Sequence, residues 1–308
     1  MEMFASQIAA VVLVLTVVFG PALIGVWLLV QRKRRAREER RSPLVKNLLR
    51  TPGHGLREQL EEDRLDIAFD LAATMLLPAV MLSLLFATAI LTGKLPSDAV
   101  LAIISVGVVV VSSYQVRLLL RRSALIDQLR LGLDAELAVG QELDQLMRQG
   151  AITFHDMPAD KFNIDHVVIA PQGVFAVETK GYRKPIRNAG SGDATVVFDG
   201  KALQFPDWAS DKPIAQAQRQ ARWLGEWLSS ASGERTEVTP VLALPGWFVE
   251  RKGRGAVMVL SGPDLQKYLL KARNAHPLSA EQMARLVHQV EQRCRNVKPT
   301  YRPDSEQA

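Results

Sequence analysis

Three ionisable residues sit where two apolar runs should pack: Asp165 near the start of "IDHVVIA", and Glu178 and Lys180 at the end of "VFAVETK". Strand side chains alternate faces, so Glu178 and Lys180 point the same way and Thr179 points opposite. Pro171 and Gln172 join the runs. If these two alone form the loop, Ala170 pairs with Gly173, and counting back sets Asp165 opposite Glu178, on one face with Lys180. A three-residue loop that includes Gly173 sets Asp165 opposite Thr179 and disperses the group unless a bulge restores it.

Two neighbouring carboxylates repel and are costly to desolvate unless positive charge joins them. Lys180 supplies part of that charge, and a divalent cation can supply the rest. The carboxylates of Asp165 and Glu178, the backbone carbonyl of Thr179 and water make an all-oxygen donor set suited to Mg²⁺ or Mn²⁺. Such an ion polarises a phosphoryl oxygen and acidifies a bound water, while a lysine orients that water or stabilises developing charge. These are the parts phosphodiester hydrolysis needs. An acid-x-lysine triplet also occurs in ordinary sheets, so the elements around it decide its weight.

"LIDQLRLGLDAELAVGQELDQLMRQG" carries Leu133, Leu137, Leu143 and Leu146 as a stripe, predicting a helix that ends at Gly150. Strand-like runs follow: "AITFHDM", "IDHVVIA", "VFAVETK" and a hairpin "ATVVFDGKALQF" turning at Asp199-Gly200. A helix starts behind Pro213, "EVTPVLALPG" and "GAVMVLSG" read as strands, and helical segments span Pro263 to Arg273 and Ser279 to Arg295. This order predicts an α/β domain with a mixed sheet over residues 125–297, ending in a polar tail, 298–308.

The first third differs in kind. Ala5 to Val30 carries no charged residue, and roughly 20 apolar residues suffice to cross a bilayer as a helix. A cleaved signal peptide would begin with basic residues and have a shorter core; this chain begins "MEMFASQ". Leu71 to Gly93 and Ala99 to Val116 are two more uncharged runs separated by "KLPSD". The reading is a membrane region over residues 1–124, with helices at 5–30, 71–93 and 99–116 and a loop at 31–70. Seven bases in "QRKRRAREERR" and more in "RLLLRR" place those flanks on the cytoplasmic side of an inner membrane and the N-terminus outside. The basic run is read as contacting anionic lipid. The single cysteine, Cys294, excludes an intrachain disulfide framework.

"GLDAELAVGQELDQL", "FNIDHVVIAPQGVFAVETKGYRKPI" and "KPIAQAQRQARWL" together resemble the nuclease-related domain, NERD, a branch of the PD-(D/E)xK superfamily, over Gly132 to Trp223. The resemblance implies a restriction-endonuclease-like mixed sheet flanked by helices, preceded here by three transmembrane helices. It implies that Asp165 is the metal-binding aspartate, Glu178 the second acidic ligand and Lys180 the catalytic lysine. Glu136 resembles the family's helix glutamate and Gln216 the glutamine of its downstream helix. Ala135 stands where the family often has glycine.

Other polar residues have plainer readings. A helix turns Glu142 away from Glu136, His166 falls on the face opposite Asp165 as a core histidine, and Asp156 reads as a turn former. Tyr182, Arg183, Lys184 and Arg187 contact phosphates or form a solvated loop. Trp208, Trp223 and Trp227 stack on bases or belong to the core. The expected function is a membrane-anchored, Mg²⁺- or Mn²⁺-dependent nuclease acting on DNA or RNA. Alternatives are a non-catalytic nucleic-acid-binding or sensing module, or a defence or scaffold component activated by a protein partner or by homo-oligomerisation.

Overall fold

A computed structural model describes residues 9, 16, 20–21, 24–32, 46–94, 97–185, 194–271 and 277–298. The chain divides into two compact units. One contains Glu61–Ile126; the other joins Lys46–Leu60 to Asp127–Lys298.

Two long helices run through the first unit: α1 (His54–Thr92) and α2 (Asp98–Asp144). Within it, Arg122 pairs with Asp66 at 3.0 Å and Asp70 at 3.2 Å, and Thr74 donates to Gln115 at 3.0 Å. Beyond these polar contacts many apolar side chains face outward, Ile103, Val106, Val109 and Val110 among them. Among the described residues α2 alone is long and apolar enough to cross a membrane, and none of its apolar stretch is buried. Three such helices were expected. The span 5–30 lies largely outside the described residues, and 71–93 falls in α1, where several side chains also do.

The secondary structure differs from the expected elements at two places. The loop assigned to 31–70 becomes a helix at His54, and its Lys46–Leu60 portion belongs to the second unit. The expected helix from residue 125 is the continuation of α2, because "RLLLRRSALIDQLRLGLDAEL" contains good helix formers and no proline.

The second unit is built on a mixed sheet. Strands β1 (Ile152–Pro158), β2 (Asn163–Ala170) and β3 (Gly173–Thr179) are antiparallel neighbours; β7 (Val238–Leu244) and β9 (Met258–Ser261) extend the sheet in parallel, in the order β1-β2-β3-β7-β9. A smaller sheet, β6-β5-β4-β8, holds β4 (Thr195–Phe198), β5 (Leu203–Gln204), β6 (Ala209–Ser210) and β8 (Phe248–Arg251). The edge strand β8 had no expected counterpart, and its pattern of one buried residue in four explains why.

Helices cover both faces of the larger sheet, so its central strands read as continuous apolar runs. Val139 and Leu143 of α2 pack with Val168, Phe175, Val177 and Val241. On another cluster, α3 (Lys212–Ser232) and α5 (Ala280–Cys294) contribute Leu224, Leu228, Leu286 and Val290 against Val167, Ile169, Val174 and Ala176. A short helix, α4 (Gly262–Tyr268), follows β9. Pro213 stands in the first turn of α3, and a capping box of Ser279 and Gln282 starts α5.

Candidate active site

The β2–β3 hairpin has the two-residue connection: Ala170 pairs with Gly173, and the register runs to His166 opposite Val177. The ladder stops there, one step short of Asp165 and Glu178. The strand pair also bends here. Phe154 and Met157 share one core cluster, which strict alternation forbids, because Asp156 between them adopts a left-handed backbone with φ of 48°. Ile164, paired with Met157, joins that cluster beside Val167. Asp165 follows this bend, and its Oδ2 accepts the Thr179 amide of β3 at 2.7 Å.

Lys180 Nζ stands 2.6 Å from Glu178 Oε1. Glu178 is 1 % exposed, and its Oε2 has no hydrogen-bond partner among the described residues. Burial opposes the Lys180 charge, but the Glu178 carboxylate, with Asp165, outweighs it and holds the ammonium above its ordinary value. Asp165 is pushed well up by burial and then by Glu178 and Glu136, against the Thr179 amide and Lys180.

Glu136 comes from α2. Burial, then the Asp156 and Glu178 carboxylates, raise it to about 7, while Lys180 and the Gly53 amide work the other way. Gly181 lets the end of β3 approach this helix, since a Cβ there would lie 2.8 Å from the Leu131 carbonyl oxygen and 2.9 Å from Ala135 Cβ. A small residue is needed on both sides, and alanine satisfies the helix side at position 135. Asp165, Glu178, Lys180 and Glu136 therefore act on one another electrostatically as a single group.

Asp156 departs most from its sequence reading. It is buried, and its carboxylate accepts Arg50 Nη1 at 2.7 Å, the Gly55 amide at 3.0 Å and Asn163 Nδ2 at 3.0 Å. Arg50, Gly53 and Gly55 escaped the sequence reading because they lie about a hundred positions from their partners, in a segment taken as a loop. Gln220 escaped it too; it is buried, and its Nε2 donates to the Asn163 carbonyl at the start of β2. Glutamines one turn apart on α3 were the available signal.

Residues 131–245 match the family model of the nuclease-related domain, NERD. No curated protein and no solved structure matches the chain. The nuclease-related region takes in Glu136, Asp165, Glu178, Thr179, Lys180 and Gln216, and leaves Arg50, Gly53 and Gly55 outside. Gln216 is half-buried in the second turn of α3, with no hydrogen bond to the acids among the described residues. No three His, Cys, Asp or Glu side chains among the described residues are grouped to hold a metal ion.

The remaining candidates in the nuclease-related region divide between core and surface. His166 is fully buried, with its Nδ1 2.9 Å from His155 Nδ1, and His155 Nε2 reaches Asp144 at 3.2 Å. Burial, then His155, depresses His166 well below its ordinary value, so it remains a neutral core residue. Glu142 accepts from Gln266, away from the acids. Tyr182 joins Phe205 and Trp208, whose rings stack at 4.1 Å. Trp223 and Trp227, beyond Phe162, hold the Arg293 guanidinium at 5.1 and 5.0 Å, a structural clamp. Arg183 and Lys184 are exposed, and Arg187 lies outside the described residues.

Proposed function

We propose that this chain is a membrane-anchored, metal-dependent nuclease that hydrolyses phosphodiester bonds of DNA or RNA on the cytoplasmic side. The observation that carries the reading is Lys180, 2.6 Å from a Glu178 carboxylate that is buried beside Asp165. Asp165, pushed well up by burial and by Glu178, is short of positive charge, and Glu178 Oε2 has no partner among the described residues.

These donors fit Mg²⁺ or Mn²⁺. Two carboxylates and the Thr179 carbonyl are oxygen ligands, few enough to leave positions for water and substrate. When bound, the ion would draw charge from a phosphoryl oxygen and acidify a water. Asp165 and Glu178 would hold it, with Asp165 itself fixed by the Thr179 amide. Lys180 would orient the attacking water or offset charge on the phosphoryl oxygens. Glu136, raised to about 7, can accept a proton or return one near neutral pH. Gln216 enters this reading only through its resemblance to the glutamine of the family's downstream helix.

The anchor in this reading is three helices, 5–30, 71–93 and 99–116, in an inner membrane with the N-terminus outside. It is supported by the apolar exposure along α2 and by the basic flanks. A phosphatase reporter at the C-terminus should be inactive; an active one overturns the orientation.

Labelled single- and double-stranded DNA and RNA, incubated with the full chain in detergent, test the chemistry. Cleavage should need Mg²⁺ or Mn²⁺ and be lost in Asp165→Asn and in EDTA; cleavage that persists in both overturns the mechanism. The Lys180–Glu178 bridge also favours a second reading, a nucleic-acid-binding module in which lysine neutralises the acid permanently. Binding without cleavage under every metal condition would select it.

A further inference from the structure

The segment before α1 contacts the acid group from a part of the chain that the nuclease-related match does not reach. Arg50 is gripped from both sides. Its amide donates to the Cys294 carbonyl at 3.1 Å and its Nε to Asn296 Oδ1 at 2.9 Å, while Nη1 reaches Asp156 Oδ2 at 2.7 Å. Leu48 adds an antiparallel bridge to Val297. Three residues after Arg50 the chain turns through Gly53, whose φ of 67° suits glycine and whose amide donates to Glu136. Gly55 lies in the first turn of α1, where amides have no helical partner, and gives its own to Asp156.

We infer that Arg50 is a positioning residue of the acid site, acting through Asp156 and Asn163 on Asp165, and that the segment 46–60 is an integral part of the nuclease unit. The path is short and each link is a hydrogen bond or a strand neighbour. Arg50 holds Asp156 in its left-handed conformation; Asp156 holds the Asn163 side chain, and Gln220 holds the Asn163 carbonyl. Asn163 is two residues from Asp165, whose carboxylate holds the Thr179 amide between Glu178 and Lys180. Arg50 touches none of the four chemical groups except through these partners. The unit is then discontinuous in sequence: residues 61–126 are an insertion between two parts of one catalytic domain.

The catalytic arm of the test rests on the nuclease reading; the structural arm does not. Full-length protein in lipid nanodiscs is compared as wild type, Arg50→Met, Arg50→Lys and Arg285→Met, the last breaking a surface pair with Glu234. Hydrogen exchange is followed at the Thr179 amide, normalised to β7. Arg50→Met should speed exchange at Thr179 roughly tenfold, Arg50→Lys should restore most of the protection, and Arg285→Met should leave it unchanged. Where cleavage is observed, kcat should fall roughly tenfold or more with KM held, as when an outer partner of a liganding carboxylate is lost.

Faster exchange confined to residues 47–55 and 294–297, with Thr179 unchanged, overturns the inference: Arg50 then only ties the two chain segments together. A wild type that cuts nothing sinks the nuclease reading and leaves the exchange result to decide positioning. If Arg50→Met does not fold, Asp156→Asn, which keeps an acceptor for Gly55 but loses the charge that holds Arg50, answers the same question at Thr179.

Discussion

In the helical unit, Ile103, Val106 and Val109 are 72, 63 and 63 % exposed, whereas in the sheet unit Glu178, Asp156 and Glu136 are 1, 5 and 9 % exposed. Each pattern is unfavourable for a protein surrounded by water, and the two are relieved differently. Exposed apolar side chains would be relieved by a different solvent, which in the proposed reading a lipid bilayer would supply to a whole helix face at once. Buried carboxylates are relieved one at a time, by Lys180 at Glu178, by the Thr179 amide at Asp165, by the Gly53 amide at Glu136 and by Arg50 at Asp156. The first relief tolerates single substitutions; the second does not. Where the local relief is incomplete, as at Glu178 Oε2, charge remains for chemistry to use.

The sharpest way to break the contrast is to remove the cation. Lys180→Ala leaves Glu178, Asp165 and Glu136 with no side-chain ammonium among them. Cleavage should fall by roughly 10²–10⁴-fold, the range for losing a positioned acid–base or charge-stabilising group. A cleavage assay under saturating Mn²⁺ reads this, and activity within a factor of two of wild type removes Lys180 from the mechanism.

How far this contrast could be read in advance follows from distance along the chain. The hairpin register was legible because side-chain period and a two-residue connection fix it locally, and Glu178 and Lys180 share a face by spacing alone. One apolar helix, in α2, was legible by length. What escaped was whatever depends on a fold already formed: the left-handed Asp156, its Arg50 106 positions away, and Gln220 57 positions from Asn163. The continuity of α2 escaped for another reason. A change of composition at Arg117 looks like a boundary between elements, although nothing in those residues stops a helix.

The apolar side is tested by placing charge on it. Ile103→Arg should lower membrane insertion by about 3 kcal/mol if α2 spans the bilayer, visible as loss from the membrane fraction on carbonate extraction. The same change on a water-facing helix would be nearly neutral. An unchanged membrane fraction would remove the solvent explanation for the exposed residues.

A pH titration tests the charged side. Glu136 sits at about 7 in the fold against an ordinary 4.5, so folding takes up a proton between these values. Stability must therefore be highest below about pH 4.5 with respect to this group and decline as pH rises through 7. The full effect is at most about 3 kcal/mol, since one unit corresponds to roughly 1.4 kcal/mol. Asp165, raised in the same direction, adds to the slope. Glu136→Gln should flatten the decline between pH 5 and 8 in thermal unfolding. An unaltered slope would mean that Glu136 is ionised throughout and that Gly53 and Lys180 already relieve it.

The smallest expected effect separates packing from charge at the point where the helix and the site meet. Gly181 and Ala135 are in contact, yet they are not equivalent. A Cβ on Gly181 would press on the backbone oxygen of Leu131, which cannot swing aside, so Gly181→Ala should move the end of β3 and with it Lys180. Ala135→Gly removes a methyl group from a closely packed spot but leaves every charge and donor in place. Its cost should be about 1 kcal/mol, mainly the lower helix propensity of glycine, with kcat unchanged. If Ala135→Gly alters kcat as much as Gly181→Ala does, then the spacing of α2 against β3 tunes the chemistry directly. The local relief of buried charge would then depend on the helix as a rigid body rather than on its individual partners.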